Sequence, residues 1–146
     1  MAPTRTDAAV TLLELLIALA IAAVLAAMAY PSYRQHLVRA HRTEAIESLL
    51  AVAAEQERHH LAHGRYAEFF RAADAAGLAV EPVTQTGRYQ LDLEEAGLAD
   101  YVAVATPMPG GSQAVDRRCA RFIVRASGQR TATDSAGRDT TRECWR

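Results

Sequence analysis

The sequence predicts an α+β protein, with one long N-terminal helix packed on about four antiparallel strands. Three observations lead there. An apolar run from Leu12 to Tyr30 is followed, without a break in helical spacing, by an amphipathic stretch reaching His63. From Arg88 onward, four short segments are rich in strand-forming residues and separated by turn residues. No βαβ alternation, phosphate-binding loop or internal repeat competes with this arrangement.

The apolar run reads LLELLIALAIAAVLAAMAY, 19 residues with the single charge Glu14. At about 1.5 Å per residue, such a helix nearly crosses a hydrocarbon core of about 30 Å. A secretory signal is the first competitor, but its apolar region spans only about 7–15 residues behind a basic leader. Here the leader MAPTRTDAA carries Arg5 and Asp7. A secreted reading would place the cut among the small residues Ala27 to Ala29. Glu14 costs a few kcal/mol in a bilayer unless it reaches the interface or finds a partner. Its simplest role is a negative charge at a helix N-terminus.

From Tyr30 onward, across Pro31, the residues Tyr30, Tyr33, Leu37, Ala40, Ile46, Leu49, Leu50, Ala53 and Leu61 recur at mostly three- or four-residue steps. Arg39, Arg42, Glu44, Glu47, Glu55 and Glu57 occupy the other positions, so a polar face is expected there. One helix therefore runs from about Thr11 to His63, and Gly64 is its C-terminal stop. A short helix is expected over Ala67 to Ala76, ended by Gly77. Strands are expected at Arg88 to Leu93, Tyr101 to Thr106, Arg121 to Ser127 and Gln129 to Thr133. MPGGSQAVD lies between the second and third as a loop.

Two cysteines, Cys119 and Cys144, stand in the last fifth of the chain. They form no Cys-x-x-Cys motif and are too few for a zinc site. A single structural disulfide fits them if the domain lies outside the cytoplasm.

The segment Ala9 to Ile17, AVTLLELLI, resembles the prepilin motif Gly-Phe-Thr-Leu-Ile-Glu-Leu-Met-Ile/Val of the type IV pilin family. The motif's glutamate corresponds to Glu14. A proline that the family carries in Ala-x-Pro-x-Tyr corresponds to Pro31 in AYPSY. Ala9 replaces the usual Gly, and Val10 the usual Phe. The resemblance implies a type IV pilin fold, closed at its C-terminus by a Cys119–Cys144 disulfide. It implies a leader over residues 1–9, a transmembrane and filament-core helix over 10–31, and a periplasmic domain over 32–146 that includes the rest of the helix. A prepilin peptidase/methyltransferase would cut between Ala9 and Val10 and methylate the Val10 amine. Thr11, Glu14 and Pro31 would serve filament assembly. The implied partners are other pilin subunits, the inner-membrane assembly machinery and the lipid bilayer. The implied location is the bacterial inner membrane, then a surface filament. The ending Cys144-Trp145 is similar to that of PilE-like minor pilins, which would pack Trp145 over a sheet edge. The loop-region disulfide separates this reading from a type II secretion pseudopilin.

Charge topology points the other way. Arg34, Arg39 and Arg42 follow the apolar run while Arg5 alone precedes it, which by the positive-inside rule favours a cytoplasmic domain. The prepilin resemblance and the cysteine pair both imply a periplasmic one.

No catalytic, cofactor or metal site is expected. Ser32, Ser48, Ser112, Ser127 and Ser135 lack a nucleophile motif, and the pairs Glu55/Glu57 and Glu94/Glu95 do not face each other on a helix. His59 and His63 are one turn apart, but no third ligand is near, and imidazoles suit a helix C-terminus. The basic residues are all Arg, and net charge is −1. Eleven acids stand against Arg58, Arg65, Arg71 and Arg88 between Glu44 and Asp100. From Val115 to Arg146, eight Arg stand against Asp116, Asp134, Asp139 and Glu143. Solvated faces account for this split; head-to-tail attraction between copies is the sharper reading. Nucleic acid is a further partner for Arg117, Arg118 and Arg121 in a DNA-uptake or adhesion pilin, without support from net charge. An ordinary single-span membrane protein is the remaining alternative.

Overall fold

The computed structural model describes residues 11–70 and 77–146. They fall into two compact units, divided in the chain between Leu37 and Val38. The order of elements is α1 (Leu12–His63), β1 (Phe69–Phe70), β2 (Gly77–Leu78), β3 (Tyr89–Glu94), β4 (Val102–Pro107), β5 (Arg121–Arg125), β6 (Arg130–Thr133) and α2 (Thr141–Cys144). The α+β expectation holds: one long helix and a four-stranded antiparallel sheet in the order β3-β4-β5-β6.

Helix α1 starts at Thr11, whose Oγ1 accepts the Glu14 N–H at 3.2 Å. Such a cap is worth about 1 kcal/mol. It ends at Gly64, which takes φ +71° and donates its N–H to the His60 carbonyl at 2.8 Å. That left-handed residue is where a Cβ would strain the chain.

The buried positions of α1 are Arg42, Ala45, Leu49, Val52, Gln56 and His59. Their steps of three and four make one stripe. This corrects the face expected from hydropathy. Tyr30, Tyr33 and Leu61 are 63%, 61% and 85% exposed, while Ile46 and Ala53 only flank the core. Three of the six buried residues are polar, so an apolar pattern could not find the stripe.

Sheet register sets the other half of the core. Leu91 pairs with Ala105, Ala105 with Phe122, and Phe122 with Ala132, and all four are buried. They join Ala45, Leu49 and Val52 in one cluster. Both sheet edges are covered, which removes templates for unwanted strand pairing. Beside β3, Thr84 N–H donates to Tyr89 O and Leu91 N–H to Pro82 O, at 3.0 and 2.8 Å. Along β6, Ala132 N–H donates to Thr141 Oγ1, Thr140 N–H to Ala132 O and Trp145 Nε1–H to Thr131 O, at 2.9, 2.9 and 2.8 Å.

The segment after α1 differs from expectation. Ala67 to Phe70 is not helical: Phe69–Phe70 pairs in parallel with Gly77–Leu78. Gln56 holds Ala67 at both its N–H and its carbonyl, at 2.8 and 2.9 Å, and so draws the chain out of a helical path. Residues 71–76 of that expectation lie outside the described residues.

Candidate functional site

The apolar first half of α1 contains an 18-residue window apolar enough to cross a membrane, with none of it buried. That exposure separates it from the core helix of a water-soluble fold, which would bury such a face. The helix runs unbroken through Ala27 to Tyr30, where a secreted reading would place its cut. Pro31 lies inside it and cannot donate to the carbonyl four residues back. Glu14, in the first turn, is the one acid of that turn. Thr11 acts as its cap. Ala9 and Val10 lie outside the described residues.

The second half of α1 is pinned by polar contacts. Arg42 Nε and Nη2 donate to the two carboxylate oxygens of Asp116 at 2.7 and 3.0 Å. Side-chain exposures are 9% and 2%, so this is a buried, two-pronged pair. Arg42 was expected on the polar face; Asp116, brought from 74 residues away, is why it can be buried instead. Next to it, the fully buried Gln113 donates to Val38 O at 3.1 Å and to Tyr89 Oη at 2.7 Å. Burial, above all, pushes Tyr89 up to about 12, against the lowering effect of the Gln113 hydrogen bond. Glu44 receives Thr86 Oγ1–H at 2.5 Å and Arg88 Nη1 at 3.0 Å. Burial alone would raise its pKa, but hydrogen bonds from Thr84, Thr86 and Arg88 outweigh it and hold the carboxyl below its ordinary range.

Cys119 and Cys144 are bonded, with Cα atoms 5.8 Å apart. The bond ties the short helix α2 to the loop that carries Asp116. It also presents Trp145, whose ring meets Phe122 edge-on at 6.1 Å and lies under the Arg130 guanidinium at 5.8 Å. Trp145 thus covers the β6 edge.

Comparison with known proteins agrees with this architecture. Residues 31–123 match the family model described as type IV minor pilin ComP, DNA uptake sequence receptor. Residues 4–30 match the prokaryotic N-terminal methylation motif. The chain belongs to the type IV pilin family. One relative of this pilin, a type IV major pilin protein PilE1 of Neisseria gonorrhoeae, is 30% identical over 90% of the chain and 78% of its own length. A second protein of that name and organism is 33% identical over 69% of the chain and 58% of its own length.

The pilin's arginines divide into two groups. Arg118 pairs with Glu143 at 2.5 Å, Arg121 with Glu94 at 2.6 Å and Arg138 with Asp134 at 2.7 Å. Arg117, Arg125 and Arg142 have no acidic partner among the described residues. Head-to-tail attraction therefore has fewer cations to draw on than the sequence offered. His59 and His63 stack at 4.3 Å, with Nδ1 atoms beside the Arg65 and His59 carbonyls at 2.9 and 3.1 Å. No group of three metal-binding side chains is found among the described residues. Sequence reasoning missed Gln56, Gln113 and Asp116 as the residues that shape the domain. A polar residue in step with Ala45, Leu49 and Val52 was the one signal present.

Proposed function

We propose that this pilin is a structural rather than catalytic protein, a minor subunit of a type IV pilus. Prepilin peptidase removes residues 1–9 and methylates Val10. The helix over 10–31 then anchors the chain in the inner membrane, with residues 32–146 periplasmic, until the assembly machinery draws it into a filament with other pilins. The observation that carries the reading is the apolar half of α1, none of it buried, continuous with a half that packs on the sheet. The minor role rests on the ComP-type match and the Cys144-Trp145 ending, and it stands against relatives named as major pilins. Sheared filaments composed mainly of this chain would overturn that assignment.

Glu14 is the residue through which assembly is tested. Removal of the leader puts a charged amine at Val10, at the end of an apolar helix. Amine and carboxylate are each costly in low dielectric, and their attraction offsets this only within about 4 Å. Pairing Glu14 with the amine of a neighbouring subunit would set the axial register between helices. Glu14→Leu then inserts in membranes as well as wild type but is depleted from sheared filaments. Glu14→Gln falls between, since an amide accepts a hydrogen bond without neutralising the amine. Equal entry of Glu14→Leu and wild type into filaments would reduce Glu14 to a helix-end charge. Mass spectrometry of the N-terminal peptide checks processing: a start near Ala29 sinks the reading of prepilin cleavage and filament assembly.

A second reading, DNA uptake, is favoured by the description of the matching family model. Arg117 is exposed without an acidic partner among the described residues, and Arg118 and Arg121 lie near it in the chain. Salt-dependent retention of DNA by the detergent-solubilised chain, reduced when all three become Ala, supports this reading. Retention unchanged by the triple variant refutes these residues as the contact.

A further inference from the structure

We propose that an open groove between α1 and the β5–β6 hairpin receives the β3–β4 turn of a second copy of this chain. Leu98 is the apolar plug, and Glu95 and Asp100 meet Arg125 and Arg130. The groove has a volume of about 280 Å3, with Leu50, Ala53, Tyr101 and Val124 among its lining. Small-molecule sites run to roughly 300–1,000 Å3, so this one suits side chains of a docking segment instead.

Charge decides the occupant. Arg125 and Arg130 line the groove, and neither has an acidic partner among the described residues. The Arg130 guanidinium lies over the Trp145 ring at 5.8 Å. Glu57, the one acid in the lining, already accepts the Tyr66 hydroxyl at 3.2 Å. Two cations against one anion leave the groove net positive.

The β3–β4 turn carries the complementary set. Leu98 is 75% exposed, and Ala99 beside it is exposed as well. Glu94 is taken by Arg121 at 2.6 Å. Glu95 and Asp100 have no ion-pair partner among the described residues. The turn is also held in place. Gly97 N–H donates to Asp100 O at 3.0 Å, Tyr66 N–H to Gly97 O at 2.8 Å, and Tyr101 N–H to Asp100 Oδ1 at 2.8 Å. A fixed apolar tip flanked by acids loses little freedom on docking. Turn and groove adjoin at Tyr101, so one copy can offer its turn and receive another's.

Two exposed ion pairs and one leucine bind weakly between free molecules, and confinement to one membrane or filament raises the effective concentration. The proposal concerns the globular unit and stands whether or not the chain enters filaments. The test replaces Leu98 by a photo-reactive phenylalanine analogue in one tagged full chain. A second, differently tagged chain is expressed in the same membrane. Irradiation is expected to join the two copies, with adducts at residues 50–57 or 124–130 of the second. Arg125→Glu with Arg130→Glu in the acceptor lowers the yield about fivefold or more, as loss of about 1 kcal/mol does. Glu95→Arg with Asp100→Arg in the donor restores it. Ala54→Trp, which fills the groove from an exposed helix position, blocks the adduct without altering charge. No adduct between copies, adducts elsewhere or to another protein, or a yield indifferent to all these changes overturns the proposal.

Discussion

Removing the Asp116 carboxylate should be the most damaging single charge change in the globular unit. Arg42 is buried with Asp116 as its two-pronged partner, at 2.7 and 3.0 Å. At about 4 Å between charges and an effective dielectric near 20, attraction is about 4 kcal/mol. Desolvating each ion costs several kcal/mol, so the intact pair contributes little beyond what apolar residues would. Asp116→Ala keeps the cost and deletes the attraction. It also strips an acceptor from the Cys119 N–H, 3.3 Å from Asp116 Oδ1. The expected loss is about 3–5 kcal/mol. Glu143, 4.0 Å from Arg42 Nη1, tempers this toward the lower end. At about 4 °C per kcal/mol, the unfolding midpoint falls by about 12–20 °C. The single tryptophan, Trp145, reports it by fluorescence in the detergent-solubilised chain. Arg42→Met with Asp116→Leu should restore most of the midpoint, because no charge is left buried. A double variant as unstable as the two singles added together would refute the reasoning, since the two side chains would then act without coupling.

Cys144→Ser should cost about 3.5 kcal/mol, the chain-entropy value for a loop of 25 residues, measured as a lower denaturation midpoint. A midpoint unchanged from wild type would mean that packing of α2 and Trp145 closes the C-terminus without the bond. Glu44 has a depressed pKa in the fold, so its contribution is fully present above about pH 4.3 and is lost as pH falls through the lower folded value. Glu44→Gln should therefore flatten the fall in midpoint below that pH; an unchanged acid limb assigns it to other carboxylates. Tyr89 and Tyr101 are raised by burial to about 12, so their contribution is fully present below about pH 10 and is lost as pH rises through the folded value. With no lysine in the chain, the part of the phenolate absorbance that belongs to Tyr89 and Tyr101 should then change together with Trp145 fluorescence at high pH. Ionisation of all five tyrosines near pH 10 in a still-folded domain would contradict that burial.

Local and one-dimensional features were readable without coordinates. The apolar run with Glu14, the stop at Gly64 and the four strands depend on spacing and backbone preference, which a string of residues carries directly. So does the motif around Ala9 to Ile17, which resembles the family's prepilin motif. The tertiary structure decided the face of α1 that packs. Arg42, Gln56 and His59 are buried there because Asp116, the Ala67 backbone and the Arg65 carbonyl come from distant or turned-back chain to meet them. Hydropathy ranks each of those three residues as solvent-seeking, and only a partner supplied by folding reverses the sign. The short strands β1 and β2 and the helix α2 share that dependence. At two to four residues each, they are too brief to announce themselves by periodicity and exist through contacts made elsewhere.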